Sequence, residues 1–183
     1  ASFTTLAEPV ATVSAASNVA PTSAQFNGAV NARNYDTTLF FEYGSDGNTF
    51  PNQLPAVPAT VTGSAAVAVS ASVAGLTKGT TYYYRISATN AGGTTVSGAS
   101  SFVTLTDPVA TVGPASAITA QSAQLNGFVN AMGAATAVTF EYGTDGSSFP
   151  NSVGATPPTV GGYANTTVSA VLSGLSQGAT YYY

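Results

Sequence analysis

Apolar and polar residues alternate along most of the chain. Within residues 24–30, the apolar side chains of Phe26 and Val30 share one face, and Gln25 and Asn27 share the other. A hydrophobic period of two predicts β-strands with one buried face. No segment combines a helical period with capping residues, so the pattern predicts an all-β chain.

The chain contains an internal repeat with an offset of 99 residues. Residues 9–84 recur at 108–183 without a gap, and 41 of these 76 positions are identical. The segment Phe-Glu-Tyr-Gly at 41–44, for example, returns at 140–143. Residues 1–8 also match 100–107, at the end of the first repeat. Repetition at a fixed spacing is typical of a tandem array of one structural unit.

The second copy indicates which face of each strand is buried. Phe41 returns as Phe140, whereas its neighbour Phe40 becomes Thr139, so we expect Phe40 to face outward. In residues 82–88 the pattern places Tyr82, Tyr84, Ile86 and Ala88 inside and directs Tyr83, Arg85 and Ser87 outward. Because aromatic side chains on a weakly charged surface can anchor a contact, we take Phe40, Tyr83 and Tyr182 (the second copy of Tyr83) as candidate contact residues.

Turn residues separate the predicted strands. Asp46-Gly47 and Asp145-Gly146 predict turns, and residues 91–93 predict a hairpin. The proline-rich segments 51–58 and 150–158 are expected to be loops or edge segments, because proline has no N–H for the middle of a sheet. About seven short strands per repeat predict tandem immunoglobulin-like β-sandwiches.

These boundaries predict three segments. Residues 1–8 are interpreted as the remnant of the last strand of a preceding repeat. Residues 9–107 form the first repeat, and residues 108–183 form a second repeat that stops before its final strand.

The segment 76–86 resembles the fibronectin type III superfamily, and the following residues 88–93 resemble the same region in the bacterial and archaeal surface proteins of that superfamily. Leu76 is followed by a turn and then, six residues later, by Tyr82, and Leu175 and Tyr181 repeat this spacing. The resemblance implies that Tyr82 and Tyr181 are tyrosine corners, whose hydroxyls bond to backbone near the preceding turn. The chain departs from the family pattern in having Phe26 and Leu125 in place of a tryptophan on the second strand.

The amino-acid composition restricts the classes of function that we expect for this chain. Charged residues make up only 5% of the chain, against about 25% in an average soluble protein. With three Lys and Arg in total, the chain lacks the basic surface that nucleic-acid binding requires. No apolar run reaches the ~20 residues of a membrane-spanning helix, so we expect no membrane insertion within this segment. Without Cys or His, the chain has no thiolate or imidazole for catalysis or for binding a metal, and we expect no cofactor and no enzymatic activity.

The carboxylates offer two further interpretations. Glu42 and Asp46 could in principle form an acid–base pair, but the sequence favours a solvated strand residue and a turn-forming Asp. Asp46 and Asp145, with Asn48, Asn52 and Asn151, are candidate Ca²⁺ ligands, although each site would have a single carboxylate. Asn165 begins an Asn-Thr-Thr glycosylation sequon that the first repeat lacks.

Two classes of function fit these observations. The first is an extracellular or cell-surface structural protein, a stalk, fibre or surface coat whose partners are neighbouring copies or repeats. In one form of it, residues 1–8 of one copy complete the second repeat of another, giving a strand-exchanged filament. The alternative is an adhesin repeat, or a spacer module of a secreted carbohydrate-associated protein, with glycans or other cells as partners.

Overall fold

The computed structural model describes all 183 residues, which divide into two compact units, Ala1–Leu105 and Thr106–Tyr183. Every regular element is a β-strand, and no helix is long and apolar enough to cross a membrane. The strands of the first unit are β1 (Val10–Ser17), β2 (Ser23–Asn31), β3 (Thr37–Gly44), β4 (Asn52–Val61), β5 (Ala66–Ala74), β6 (Thr81–Asn90), β7 (Gly93–Val96) and β8 (Ser100–Val103). The strands of the second unit are β9 (Val109–Ser116), β10 (Ser122–Asn130), β11 (Thr136–Tyr142), β12 (Asn151–Val160) and β13 (Asn165–Ser173).

The first unit is a sandwich of two antiparallel sheets. One sheet has the order β1-β2-β5, and the other contains β4-β3-β6 with β7 and β8 both paired to β6. The bridge between Val57 and Ser70 joins the sheets at one edge. Both sheets direct alternate side chains into a shared core, which accounts for the period of two in the sequence.

The core of the first unit is aromatic at its centre. Phe26 and Tyr84 come from opposite sheets and stack with ring centroids 4.4 Å apart and planes 10° apart. Phe41 contacts both rings at centroid distances of 5.8 and 6.3 Å. All three side chains are fully buried, as are Leu39 and Ile86. The inward positions that alternation predicted for β3 and β6 are therefore the positions that form the core.

The proline-rich segments are strands, and their interpretation as loops is wrong. β4 pairs with β3 at both ends, Tyr43 opposite Asn52 and Thr37 opposite Val61, and the register shifts between them. Pro58 lies in this irregular part, after a cis peptide bond, and Pro157 repeats this in β12. The edge interpretation holds, because β4 borders the sheet of β3 and meets β5 at only one residue pair. Proline is tolerated at such a bulged edge since few backbone N–H groups there need a partner.

The last strand of the first unit is divided into two pieces. β7 pairs with the second half of β6 after the predicted hairpin, with Asn90 opposite Gly93. Ser97 still contacts β6, because its backbone N–H donates to Ile86 O at 2.9 Å and its hydroxyl accepts from Ile86 N at 2.9 Å. The chain then bulges and resumes as β8 beside Thr81–Tyr84. Eight elements are thus found where seven strands were predicted.

Residues 1–8 form no strand and belong to the first unit. Their C-terminal end is attached near the β6–β7 hairpin, where Asn90 Nδ2 donates to Ala7 O at 3.1 Å. Thr95 Oγ1 donates to a Glu8 carboxylate oxygen at 3.3 Å. Phe3 and Leu6, by contrast, are exposed.

The second unit repeats the first five strands of the fold. Its strands have the order β11-β12-β13-β10-β9, the arrangement of β3-β4-β5-β2-β1. Leu125, Phe140 and Val168 form the centre of its core. Tyr182 forms an isolated bridge with Gly143, as Tyr83 pairs with Gly44 in the first unit.

Candidate interaction surface

The candidate contact residues of the first unit lie on the outer face of β3 and β6. Cross-strand pairing places Phe40 opposite Ser87, Glu42 opposite Arg85, and Gly44 opposite Tyr83. The alternation of the strands directs these side chains away from the core, as predicted. Phe40 and Tyr83 are only half exposed, however.

A small charged cluster occupies the middle of this face. Arg85 Nε donates to Glu42 Oε2 at 2.8 Å, and the guanidinium carbon of Arg85 lies 4.2 Å from the centre of the Phe50 ring. The side chain of Glu42 faces outward as predicted, and it is 20% exposed because it pairs with Arg85. Glu42 and Asp46 also bind different partners, Arg85 and a turn, so the structure does not bring them together as an acid–base pair.

Tyr83 and Tyr182 pack against the turns that follow β3 and β11. Gly47 has a φ of 75°, and a Cβ there would lie 3.3 Å from the Tyr83 ring. Gly146, at φ 72°, would place a Cβ equally close to the Tyr182 ring. Glycine at these positions permits both the backbone angle and the close approach of the ring. The two tyrosines thus support the turns. In the first unit Arg85 covers the ring of Phe50, whereas in the second unit Tyr182 remains 47% exposed.

Tyr82 and Tyr181 occupy the positions implied by the family resemblance. The Tyr82 hydroxyl accepts a hydrogen bond from Thr77 N at 3.1 Å. The Tyr181 hydroxyl accepts one from Ser176 N, also at 3.1 Å. The first bond joins the start of β6 to the turn that precedes it, and the second joins Tyr181, next to the isolated bridge at Tyr182, to the equivalent turn. This is the geometry of a tyrosine corner.

Asp46 and Asp145 act as caps for their turns. Asp46 Oδ1 accepts from the backbone N–H groups of Asn48 and Thr49 at 2.9 and 2.7 Å, and its other oxygen accepts from Thr49 Oγ1. Asp145 accepts from the backbone of Ser147 and Ser148 at the same two distances. These hydrogen bonds favour the ionised carboxylate, so they lower the pKa of Asp46, chiefly through Thr49, and the pKa of Asp145, chiefly through Ser147.

Two asparagine candidates for calcium ligands form hydrogen bonds with the backbone instead. Asn52 Nδ2 donates to Tyr43 O and Asn151 Nδ2 donates to Tyr142 O, both at 3.3 Å. These side chains therefore fasten the start of the next strand to the end of the previous one. The structure has no place where three or more Asp, Glu, His or Cys side chains lie close enough together to hold a metal ion.

We expect Asp46→Asn to destabilise the first unit in a pH-dependent manner. Because the folded-state pKa of Asp46 lies below its usual value of 3.8, its charge stabilises the fold above that pH. This contribution is lost as the pH falls through the lowered pKa. The difference between the urea midpoints of wild type and variant should therefore be largest near pH 7 and become smaller as the pH falls below 3.8. Asp145→Asn provides a second instance, and an equal deficit at every pH would contradict a role for the charge.

Asn165 is the first residue of β13 and is exposed. Its Oδ1 accepts a hydrogen bond from Asn130 Nδ2 at 3.2 Å. The sequon Asn is thus at an accessible strand end, where its side-chain amide lies beside another strand.

Two sets of polar residues were not identified from the sequence. Thr104 is buried, and its hydroxyl accepts from Thr80 N at 2.9 Å and donates to Thr77 O at 2.6 Å. Asn27 Nδ2 donates to Ala15 O and Ser17 Oγ, which holds the bulge in β1, and Asn126 does the same in the second unit. The sequence feature that could have identified this residue is the Asn at equivalent positions of the two repeats, Asn27 and Asn126.

Comparison with known proteins adds structural neighbours but no family. No protein-family model and no curated protein matches the chain. It is similar to the sensor domain of the anti-sigma factor RsgI4 of Pseudobacteroides cellulosolvens, with 17% identity over 55% of this chain and 97% of that one, at a TM-score of 0.40. It is also similar to the FN1–FN3 domains of chicken CNTN1, with 12% identity over 94% of this chain and 64% of that one, at a TM-score of 0.40.

The sheets and turns define the class of protein. Each unit packs two antiparallel sheets around an alternating core, and each has a tyrosine whose hydroxyl bonds to the preceding turn. The chain is an all-β protein of tandem immunoglobulin-like, fibronectin type III-like β-sandwiches.

Proposed function

We propose that this chain is a non-catalytic extracellular structural repeat protein that forms a stalk, fibre or surface coat. The observation that carries the proposal is the gapless repeat, which preserves details that a ligand site would not require. The Asp–Gly turn, its packed tyrosine and the tyrosine corner recur at an offset of 99 residues. A spacer must reproduce its scaffold in every unit, whereas a specialised binding module diversifies its loops.

The state of the polar residues supports the same function. Asp46 and Asp145 cap turns, Glu42 pairs with Arg85, and Thr104 links a turn to the end of β8. These groups are engaged in holding the fold together. The rest of the surface is rich in Thr, Ser, Asn and Gly, which is compatible with close lateral packing of neighbouring copies.

Electron microscopy of the native full-length product on the producing cells tests this function. Gold-labelled antibodies against the first unit should bind intact cells and mark filaments, stalks or a regular coat. Labelling that appears only after permeabilisation would contradict the extracellular role. Isolated surface strands that bind glycans or other cells would instead support an adhesin or carbohydrate-associated spacer.

A further inference from the structure

At the start of β13 the two repeats differ at four of five consecutive positions. Residues 163–167 are Tyr-Ala-Asn-Thr-Thr, whereas residues 64–68 are Ser-Ala-Ala-Val-Ala. Over the full repeat, in contrast, more than half of the aligned positions are identical. The changes create the one Asn-X-Ser/Thr triplet of the chain and put an aromatic residue two positions before its Asn.

A small network of hydrogen bonds determines which atom of the Asn165 amide faces solvent. Asn130 Oδ1 accepts from Met132 N at 3.0 Å, and Asn130 Nδ2 donates to Tyr163 O at 2.8 Å, so backbone groups set the orientation of the Asn130 amide. The same Nδ2 also donates to Asn165 Oδ1 at 3.2 Å. Because a donor needs an acceptor, Asn165 presents its oxygen to Asn130 and directs its own Nδ2 away from it.

Two partly exposed aromatic rings lie around this amide. Tyr163, in the turn before β13, is 70% exposed, and Phe128, on β10, is 49% exposed. The pairing of β10 with β13 places Phe128 directly opposite Thr167, two residues along from Asn165. Phe128, Thr167 and Asn165 are all exposed, so they share the outer face of the sheet.

The first unit has neither the rings nor the acceptor. At the equivalent positions it has Ser64 in place of the tyrosine and Ala29 in place of the phenylalanine. Ala66 and Ala68 replace the Asn and the Thr of the triplet. The exposed rings and the triplet therefore occur together in the second unit and are absent together from the first.

A sugar attached to Asn165 gives these rings a partner. The C–H groups of a pyranose ring carry small positive charges, which the negative face of an aromatic ring attracts. Such packing also removes apolar ring surface from water. An exposed aromatic side chain beside a glycosylated Asn is thus in a favourable environment.

We propose that Asn165 is a site of N-linked glycosylation and that the first sugar packs on the ring of Tyr163. The donor is an oligosaccharide attached to a polyprenyl diphosphate. Asn165 Nδ2 forms a bond to the anomeric carbon of the first sugar and loses one proton. The bond between that carbon and the diphosphate oxygen breaks, and the diphosphate leaves with the electron pair.

The modification is compatible with the folded second unit and rests on the extracellular role proposed above. Asn165 is exposed and its Nδ2 points away from the amide of Asn130, so a glycan reaches solvent without moving a core residue. The sequon is modified in secreted chains, which is why the proposal depends on export.

Mass spectrometry of the full-length product, purified from the surface of the producing cells, tests the site. Electron-transfer fragmentation should place the mass of a glycan on Asn165. Thr167→Ala should abolish this mass while leaving Asn165 in place, because the transferase recognises the hydroxyl residue two positions after the Asn. Thr167→Ser is the matched control and should retain the glycan. Since Thr167 is exposed, neither substitution disturbs the core.

A double-mutant comparison tests the contact between the sugar and the ring. Enzymatic removal of the glycan should lower the urea midpoint of the second unit in wild type. It should lower the midpoint less in Tyr163→Ser, which restores the residue of the first repeat. An equal change in both proteins would overturn the proposed packing on Tyr163.

The equivalent position of the first unit offers a gain of function. Asn31 Nδ2 donates to Ser64 O at 2.6 Å, as Asn130 does to the corresponding oxygen in the second unit. Ala66→Asn/Ala68→Thr should therefore add a second glycan to the chain, located by the same fragmentation.

The glycosylation and the structural role can fail separately. A product that antibodies label on intact cells but whose Asn165 is unmodified would overturn the glycosylation and leave the structural role standing. A glycan mass that persists in Thr167→Ala would also overturn it. If labelling instead places the product inside the cells, the structural role fails. Translation of the full chain behind a signal peptide, in the presence of microsomes, then tests Asn165 as an acceptor by itself, with Thr167→Ala as the control.

Discussion

Replacing Phe26 by alanine should lower the free energy of unfolding of the first unit by about 3–5 kcal/mol, the usual cost of removing a large buried aromatic ring. Phe26 has no exposed surface. Its ring stacks on Tyr84 and meets Phe41, Tyr43 and Phe102 at centroid distances of 5.5–5.9 Å. The substitution removes one partner from each of these contacts and leaves a cavity between two sheets that cannot collapse without breaking their pairing.

Phe40→Ala is the matched control for this prediction. It removes the same side chain from the adjacent sheet, but from a half-exposed outward position. Its cost should stay below about 1.5 kcal/mol, because less apolar area returns to water and no internal cavity forms. Urea unfolding, with hydrogen exchange of β2 and β6 amides to assign the transition to the first unit, measures both. Equal costs for the two variants would mean that the inner and outer faces are not distinguished as the structure has them.

The assignment of these faces was possible from sequence because the chain contains two versions of each strand. Alternation alone cannot assign residues 39–43, where Phe40 and Phe41 are adjacent and both apolar. The second repeat supplies the answer, since Phe41 is retained as Phe140 and Phe40 becomes Thr139. Burial keeps an inward position apolar, whereas an outward position accepts either residue type.

The course of β4 could not be predicted in this way. Local propensity left a loop and an edge segment as alternatives, because Pro51, Pro55 and Pro58 fall within eight residues. In the structure, Pro55 lies opposite Phe40, next to the register shift, and Pro58 lies in the part of the strand that does not pair with β3. Whether a strand lies at an edge depends on its neighbours in three dimensions, and edge position decides whether it tolerates proline.

The polar contacts between distant residues could be predicted even less well from the sequence, because they form only in the tertiary structure. Glu42 and Arg85 are 43 residues apart in sequence and meet only because β3 and β6 pair in one register. Thr104 contacts Thr77 and Thr80 because β8 ends beside the turn before β6. Such pairs leave no local signal. Asp46 and the tyrosine corner, in contrast, bind backbone within five residues, so a local motif was sufficient to find them.

Thr104→Val should cost the first unit about 1–3 kcal/mol, the range expected when buried hydrogen-bonding groups lose their partner. Valine keeps the shape of threonine but has no hydroxyl. Thr80 N would lose its acceptor at 2.9 Å, and Thr77 O would lose its donor at 2.6 Å. Water cannot readily replace the hydroxyl, because Thr104 is only 2% exposed.

Thr104→Ser separates the hydrogen bonds from packing, because serine retains the hydroxyl and loses one methyl group. Its cost should be about 0.8 kcal/mol, the transfer free energy of one buried carbon, and therefore smaller than that of Thr104→Val. Chemical denaturation of both variants gives the comparison, and exchange of the Thr80 amide reports the bond directly, since only the valine variant should lose its protection. If serine were the more damaging substitution, the methyl group would be the stabilising part of Thr104, and the turn before β6 would be held to the end of β8 by packing and not by the hydroxyl.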